Sequence, residues 1–316
     1  MSADAAKKND QKSVAILMAT CNGERFLSEQ LDSLASQTVT KLDLWISDDG
    51  SKDRTKVILE EAARNWKKGK VRISEGPKQG FVENFRSLMI DPSIDADFYA
   101  FSDQDDIWDE DKLAVATEWL SAQPDTIPAL YCSRTRTVSE NGVTIGYSPL
   151  FKKVPSFRNA IVQSIAGANT MVMNRAARDV IARASQNSTF VSHDWWCYLI
   201  VSGVGGRVFY SPEAKIGYRQ HQNNLVGENR SLKAKYNRLK RLIGGGFQGW
   251  NRLNLENLEK CKHLLSEDAY STLAMVRNCQ GTCVHHRLLS LLRSGVYRQT
   301  GIDQAALIFA CAIRGL

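Results

Sequence analysis

Short apolar segments alternate with amphipathic segments along the first half of this 316-residue chain. The amphipathic segments keep helical spacing, as Phe26, Leu27, Leu31 and Leu34 do. Each apolar segment has the length of a strand that is covered on both faces. These segments are Val14–Met18, Leu42–Ser47, Val71–Ser74, Asp97–Ser102 and Ala129–Cys132. Strands that alternate with helices form βαβ units, so we predict an α/β protein with a mainly parallel sheet flanked by helices.

Polar loops follow three of these strands, at residues 20–24, 48–53 and 103–106. In open α/β sheets, ligands bind in a crevice beyond the carboxyl ends of the strands. We therefore expect one crevice to contain all three loops.

Three carboxylates within four positions, Asp103, Asp105 and Asp106, end the fourth predicted strand. In an extended segment Asp103 and Asp105 point to the same side of the backbone, so they can share one cation. Oxygen ligands of this kind suit Mg²⁺ or Mn²⁺, which keep positions open for substrate phosphates. A solvated acidic turn that caps a helix starting near Asp109 is an equally simple interpretation. This stretch alone does not distinguish the two.

Composition excludes several classes of protein. The 43% apolar and 24% charged residues are typical of a globular protein, and the length allows one large domain or two smaller ones. The cysteines are scattered, and Cys279 and Cys283 lack the second pair that a zinc site needs. Residues 1–12, which we predict to be disordered, lack the apolar core of a signal peptide. The scattered cysteines predict a reduced, cytoplasmic chain with buried thiols. No stretch has the roughly 18 apolar residues of a membrane-spanning helix.

The positive charge lies near the C-terminus. Residues 230–316 contain 14 Lys and Arg against 5 Asp and Glu, although the net charge of the whole chain is only +7. Leu232, Tyr236, Leu239 and Leu242 keep helical spacing, which predicts a basic helical region. Such a region favours an anionic membrane surface as its partner, with dimerisation as the alternative. Nucleic acid is not expected, because the segment has no helix-turn-helix, zinc-finger or RNA-binding motif.

Three motifs occur in a characteristic order and spacing. They are Val14–Asn22 with Glu24, Asp48–Asp53 and Ser102–Trp108. Together they resemble the inverting glycosyltransferases of family 2, which have the GT-A fold. The resemblance extends over residues 12–229 and implies a catalytic domain at residues 13–229, followed by a C-terminal helical extension at residues 230–316. The third motif and Tyr218–His221 are most similar to bacterial rhamnosyltransferases that build surface polysaccharides.

The resemblance implies a nucleotide-sugar pocket. Asp49 matches the carboxylate that binds the base, and Thr20 and Glu24 match positions that line the nucleotide pocket. The other residues that the resemblance places near the donor are Asn22, Ser51, Gly80, Asn84, Asp103 and Gln104. A turn that caps a helix explains Asp49 as well, and a helix start explains Gly80 and Asn84.

The resemblance also implies a divalent cation, Mn²⁺ or Mg²⁺, that bridges the donor phosphates. Asp103 and Asp105 are expected to hold it, with Asp105 the more direct ligand and Asp103 facing the ribose. His221 matches a histidine that many GT-A enzymes bring to the metal. Imidazole among carboxylates favours manganese while allowing magnesium. The alternative for His221 is an ordinary histidine in a surface loop.

Asp194 is the candidate catalytic base, because it lies where the family carries its catalytic carboxylate. An inverting transfer needs a base that deprotonates the acceptor hydroxyl during its attack on the anomeric carbon. His193 departs from the family pattern, in which another acid precedes this carboxylate. Because a helix N-terminus stabilises the anion, we expect Asp194 to be a weak base unless the acceptor excludes water. A purely helix-capping Asp194 is the alternative.

One loop and two tryptophans are candidates for contact with the acceptor. Gly167, Asn169 and Thr170 resemble the loop that lets an acceptor approach the donor, although Gly167 can equally serve a tight turn. Trp195 and Trp196 are able to stack on sugar rings, and we expect one of them to lie in the core.

Two other functions fit parts of the sequence. A nucleotidylyltransferase also uses an α/β sheet and a metal, but its glycine-rich basic loop has no counterpart at residues 20–25. A non-catalytic carbohydrate-binding scaffold is disfavoured, because nothing structural requires Asp103, Asp105, Asp194 and His221 together.

The favoured prediction is therefore transfer of a sugar from a nucleotide donor to a saccharide or lipid-linked acceptor. We favour dTDP-rhamnose over a UDP-sugar as the donor. We expect the enzyme to be cytoplasmic, with peripheral attachment to the inner face of the membrane.

Overall fold

A computed structural model describes residues 12–221, 246–281 and 283–314. Its strands are β1 (Val14–Thr20), β2 (Leu42–Asp48), β3 (Val71–Glu75), β4 (Phe98–Ser102), β5 (Ile107–Trp108), β6 (Ala129–Val138), β7 (Thr144–Tyr147), β8 (Val172–Asn174) and β9 (Arg207–Arg219). Its first seven helices are α1 (Leu27–Ala35), α2 (Thr55–Asn65), α3 (Phe81–Ile90), α4 (Lys112–Ser121), α5 (Phe157–Ala160), α6 (Arg175–Ser185) and α7 (His193–Gly203). The C-terminal helices are α8 (Gly246–Lys260), α9 (Glu267–Asn278), α10 (Val284–Ser294) and α11 (Gly301–Arg314).

The strands form one mixed sheet in the order β3-β2-β1-β4-β8-β6-β9-β5, and β7 pairs with β6. Strands β3, β2, β1 and β4 are parallel, as their alternation with helices predicted. Strand β8 runs antiparallel to both β4 and β6, and β9 is parallel to β6. The predicted α/β class is confirmed, with mixed pairing in the half of the sheet that follows β4.

Strand β1 lies at the centre of two hydrophobic layers. Ala15 and Leu17 face the layer that contains α3, α6 and α7, whereas Ile16 and Met18 face the layer that contains α1 and α4. Because successive side chains of a strand point to opposite faces, a strand buried on both sides is a continuous apolar run. This is why β1 was recognisable in the sequence.

The C-terminal helices share the hydrophobic layer of α7. Leu258 of α8, Leu273 of α9 and Leu307 of α11 belong to the same buried cluster as the α7 side chains. A break around Gly281 separates α9 from α10. The predicted domain boundary between residues 229 and 230 lies outside the described residues. The predicted helical segment from Leu232 to Leu242 lies outside them as well.

Two further sequence predictions concern the compartment. In the part of the chain that the structure describes, no helix is both long and apolar enough to cross a membrane. Five of the seven cysteines are buried thiols, as predicted, whereas Cys21 and Cys283 are exposed. Of the predicted disordered segment 1–12, only Lys12 is described, and it pairs with Asp125 at 3.2 Å.

The shared core predicts how the C-terminal helices affect stability. Leu258→Ala removes a fully buried side chain, so we expect the free energy of unfolding to fall by about 2–5 kcal/mol in urea titration. Leu292→Ala, on the exposed face of α10, is the control and should change it by less than about 0.5 kcal/mol. An unchanged unfolding midpoint for Leu258→Ala would show that α8 does not contribute to the core.

Candidate functional site

The carboxyl ends of β1, β2 and β4 bring the three polar loops together. Thr20 is the register partner of Asp48, and Met18 is the partner of Ser102. The loop after β4 then contacts the loop after β1 directly, because the Gln104 side-chain amide both accepts from the Cys21 N–H (2.8 Å) and donates to the Cys21 carbonyl (3.0 Å). One crevice edge therefore carries all three loops.

Gly23 is required for this contact. A Cβ atom at residue 23 would lie 2.4 Å from Oε1 of Gln104, which is closer than real Cβ contacts come. The single glycine of the first loop thus makes room for the glutamine between the two aspartates. Gln104, which we predicted near the donor, joins two loops in this structure.

Asp48 organises the second loop from inside. Its buried carboxylate accepts from the Thr20 hydroxyl (2.9 Å), the Ser51 N–H (3.0 Å) and the Ser51 hydroxyl (2.5 Å). Asn22, at φ +50°, donates its N–H to Ser51 Oγ (2.8 Å) and accepts from the Lys52 N–H (2.9 Å). Thr20, Asn22 and Ser51 thus lie together at the crevice edge, and their polar groups fix its loops.

Glu24 and Asp53 close the N-terminal end of α2. Glu24 Oε2 accepts from the Arg54 N–H (2.9 Å), and Asp53 accepts from the N–H groups of Glu24 (3.1 Å) and Thr55 (3.0 Å). These contacts satisfy amides that a helix start leaves without partners. The side chains of Asp53 and Glu24 therefore both cap the start of α2.

Asp49 connects the second loop to the segment before α3. Its two carboxylate oxygens accept from the N–H groups of Lys78 (2.5 Å) and Gly80 (2.8 Å). Gly80 adopts φ +90°, a conformation that favours glycine. Asn84 is buried and donates to the Ser47 carbonyl (2.9 Å), so it lies beneath the crevice rather than on its surface.

The acidic stretch meets two distant residues. Burial, Asp105 and Asp194 together raise the pKa of Asp103 to about 7, which places Asp194 within electrostatic range of the loop after β4. Asp105 Oδ2 and His221 Nε2 are 2.7 Å apart, and the His221 ring packs on Phe26 at 5.0 Å between centroids. The fold thus brings the four residues predicted for metal and acid–base chemistry to one place.

Asp194 differs from the prediction in its electrostatics. We expected the start of α7 to stabilise the carboxylate and keep it a weak base. Burial instead raises the pKa of Asp194, although hydrogen bonds from the Ser192 side chain and the Trp195 N–H oppose the shift. The weak-base expectation was wrong, because loss of hydration outweighs the local helix contacts.

The loop before β8 contacts the acidic stretch from below. Asn169 donates from Nδ2 to Oδ2 of buried Asp106 at 2.7 Å, and Thr170 donates to the Gly167 carbonyl at 2.8 Å. A Cβ atom at Gly167 would lie 2.8 Å from Oδ1 of Asn169, so the turn itself needs this glycine. The predicted acceptor loop is therefore tied to the loop after β4.

Arg219 is the residue that the sequence analysis missed. This fully buried side chain donates from Nε to the Asp105 carbonyl (3.0 Å) and forms an ion pair with Glu29. Its guanidinium also bonds the Glu140 carbonyl and lies 4.6 Å above the Phe26 ring. The signal was its position two residues before His221, which favours the same side of an extended chain.

The residues on either side of Asp194 are buried. His193 stacks on Phe85 at 4.0 Å and meets Phe101 edge-on at 5.1 Å, and burial lowers its pKa to about 3. Trp195 donates its indole N–H to the Ala160 carbonyl (2.6 Å), and Trp196 is buried as well. We expected one tryptophan in the core, but both are there, so neither presents a face to a sugar.

The predicted cation has suitable donors, although no closed metal site is present. Within residues 12–221, 246–281 and 283–314, no group of three or more His, Cys, Asp and Glu side chains is arranged to hold a metal ion. The carboxylate of Asp105 and the imidazole of His221 form an oxygen and nitrogen donor pair that fits Mn²⁺ or Mg²⁺. The raised pKa of Asp103 marks a crowded carboxylate that a nearby cation would relieve.

Comparison with known proteins decides the family. The glycosyl transferase family 2 model matches residues 15–181, more than half of the chain. The chain belongs to glycosyltransferase family 2. It is 30% identical to the dTDP-rhamnosyl transferase RfbG of Shigella flexneri, over 80% of this chain and 86% of that protein. This family 2 chain is therefore a glycosyltransferase.

Solved structures support the GT-A fold of this family 2 member. TarS from S. aureus in complex with UDP-GlcNAc aligns with a TM-score of 0.53 at 15% identity, over 94% of this chain and 90% of that one. The mannosyltransferase PcManGT from Pyrobaculum calidifontis, in complex with GDP-Man and Mn²⁺, aligns with a TM-score of 0.51 at 15% identity, over 96% and 87% of the two chains. The predicted fold is confirmed.

The aromatic surroundings of His193 predict the effect of restoring an acid there. His193→Asp places a carboxylate against two phenylalanine rings, so we expect it to lower the free energy of unfolding by about 2 kcal/mol or more. His193→Leu, of similar size and apolar, is the matched variant and should retain stability, because neither ring nitrogen of His193 has a hydrogen-bond partner. Equal thermal stability of the two variants would contradict the neutral, apolar environment of this side chain.

Proposed function

We propose that this glycosyltransferase moves L-rhamnose from dTDP-rhamnose to a saccharide or lipid-linked saccharide acceptor, with inversion at the anomeric carbon and with the help of a divalent cation. The product belongs to a bacterial surface polysaccharide such as an O-antigen. The dTDP-rhamnosyl transferase of Shigella flexneri supports this donor, since the likeness covers most of both chains.

One observation carries the proposal, namely the convergence of Asp194 with Asp103, Asp105 and His221. Asp194 lies at the start of α7, whereas Asp103 follows β4 and His221 follows β9. The electrostatic influence of Asp194 on Asp103 and the 2.7 Å contact between Asp105 and His221 support a single reaction centre. A helix cap or a surface-loop histidine does not require this arrangement.

Asp105 and His221 are the proposed metal ligands, with Asp103 beside them and facing the ribose. When bound, Mn²⁺ or Mg²⁺ neutralises the charge that develops on the departing nucleoside diphosphate. Arg219 contributes by holding the main chain of Asp105, and Phe26 supports the His221 ring. The Mn²⁺ in the complex of PcManGT supports a divalent cation for this fold.

Asp194 is the proposed base. It takes the proton of the acceptor hydroxyl, whose oxygen bonds to the anomeric carbon while the bond from that carbon to the donor phosphate breaks on the opposite face. The raised pKa of Asp194, caused by burial, favours this role because a more basic carboxylate accepts a proton more readily. Gly167, Asn169 and Thr170 form the proposed acceptor side of the centre.

The nucleotide is assigned to the loops after β1 and β2 and to the segment before α3. Asp49 is the proposed contact for the base, since its carboxylate lies at the edge where these three segments meet. Thr20, Asn22, Glu24 and Ser51 hold the same edge, and Gly80 keeps the segment before α3 close to it.

A UDP-sugar, such as a UDP-hexose or a UDP-N-acetylhexosamine, is the alternative donor. TarS, whose fold this chain shares, was solved in complex with UDP-GlcNAc. Asp49 is compatible with both donors, because thymine and uracil present the same N–H group to a carboxylate. Peripheral attachment to the cytoplasmic face of the membrane, or a dimer formed through the C-terminal helices, remains part of the proposal.

Nucleoside diphosphate release from a panel of sugar nucleotides tests the proposal. We expect release from dTDP-rhamnose, loss of release in EDTA, and recovery with Mn²⁺ or Mg²⁺. Asp194→Asn should reduce release by about 100-fold or more, because the isosteric amide does not accept the proton. Asp105→Ala should abolish the response to metal.

Asp179→Asn, a surface substitution on α6, is the matched control and should retain full activity. Full activity of Asp194→Asn would contradict its role as the base. Release from UDP-sugars alone would establish the alternative donor, and activity that EDTA does not change would contradict the metal.

A further inference from the structure

The helical hairpin of α10 and α11 exposes an unusual number of large apolar side chains. Leu292 is 72% exposed and Ile302 is 78% exposed, and Phe309 and Ile313 are each about half exposed. The opposite side of each helix is buried, through Leu291 on α10 and through residues 306, 307, 310 and 311 on α11. Helix α11 is thus apolar on two faces, of which the core covers one.

The exposed side chains of α11 form one stripe. Ile302, Phe309 and Ile313 are separated by seven and four residues, which places them within about 40° of one another around a helix of 3.6 residues per turn. A stripe of this regularity on a solvent-exposed face is typical of an interaction surface.

A further exposed segment lies against the turn between the two helices. The Lys153 N–H donates to the Gln299 side chain at 3.0 Å, and the Tyr297 hydroxyl bonds the Val154 carbonyl. Val154, itself 78% exposed, therefore lies against the connection between Leu292 and Ile302. We call Val154, Leu292, Ile302, Phe309 and Ile313 the apolar face.

Cations border the apolar face. Lys152 precedes Val154 by two positions and Arg293 directly follows Leu292, and both side chains are exposed. On α10 and the turn that follows it, Arg293 is exposed, whereas Arg287 and Arg298 are buried and donate to the carbonyls of Ala312 (2.6 Å) and Val162 (3.1 Å). The carboxylate of Asp303 accepts from the Thr300 hydroxyl at 2.8 Å.

This charge pattern distinguishes between two partners. A symmetric dimer through the apolar face would bring together two surfaces that both carry positive charge, which costs energy. An anionic lipid surface takes up both features, because the apolar side chains enter the acyl region and the cations meet the headgroups.

We propose that the apolar face of α10 and α11 docks this enzyme on an anionic lipid bilayer. This inference deepens the attachment suggested above by assigning it to particular side chains, and it does not depend on the identity of the donor sugar. In the docked enzyme the side chains of the apolar face enter the bilayer interface, and the rest of the protein stays outside the bilayer.

Flotation of the full chain with phosphatidylcholine vesicles, with or without phosphatidylglycerol, tests the proposal. We expect binding only to the vesicles that contain phosphatidylglycerol. Leu292→Ser/Ile302→Ser should weaken this binding by about tenfold or more. Val57→Ser/Ile73→Ser, which removes two exposed apolar side chains from α2 and β3, is the matched control and should bind as the wild type does.

A second double variant tests how much the cations contribute to vesicle binding. Lys152→Gln/Arg293→Gln should weaken binding at low salt, and added salt should weaken wild-type binding. Donor hydrolysis in solution should be unchanged in all three double variants, which separates docking from the proposed catalysis.

Equal flotation of Leu292→Ser/Ile302→Ser and its control would overturn the proposal, and so would equal binding to vesicles without phosphatidylglycerol. Light scattering after size-exclusion chromatography tests the alternative partner, a second copy of the chain. A wild-type dimer that Leu292→Ser/Ile302→Ser converts to a monomer would assign the apolar face to a second copy of the chain instead.

Discussion

Repulsion between carboxylates is the constraint on which the site depends. Asp103, Asp105 and Asp106 occupy one loop, and the fold adds Asp194 from α7. Burial and the neighbouring charges raise the pKa of Asp103 to about 7 and hold that of Asp106 well above its ordinary value. Like charges so close, with little water, cost free energy that packing elsewhere must offset. A cation bound among these carboxylates would relieve this cost.

Contacts with three neighbouring segments hold the loop after β4 in place despite this repulsion. Gln104 fixes it to the loop after β1, Asn169 approaches from the loop before β8, and Arg219 holds it from β9. Asn169 donates to the Asp106 carboxyl group and Arg219 to the Asp105 carbonyl, whereas Gln104 both donates to and accepts from the main chain of Cys21. A loop held from three strands keeps its aspartates in place while leaving His221 next to Asp105. Rigid placement of this kind is what a reaction centre needs.

The capping and binding interpretations of the polar loops turned out to be compatible. Asp48 and Asp53 bond mostly to their own loops, and Glu24 caps α2, so all three build the crevice edge. The sequence could not separate such roles, because an aspartate that caps a turn and one that contacts a ligand follow a strand in the same way. Asp194 is the clearest example. The sequence showed the helix start, which lowers the pKa of a carboxylate, but it did not show the burial that raises the pKa of Asp194.

The sequence by itself determined β1 to β4, the helices between them and the motifs at their ends, because buried parallel strands are continuous apolar runs and loops follow them at one edge. Only the tertiary structure decided which distant residues meet. Arg219 lies in a polar stretch that pairs with β6 over many residues, and His193 is neutral because aromatic rings from α3 and β4 surround it. Strand pairing and desolvation depend on neighbours that are far away in the chain, so the local periodicity of the sequence does not predict them.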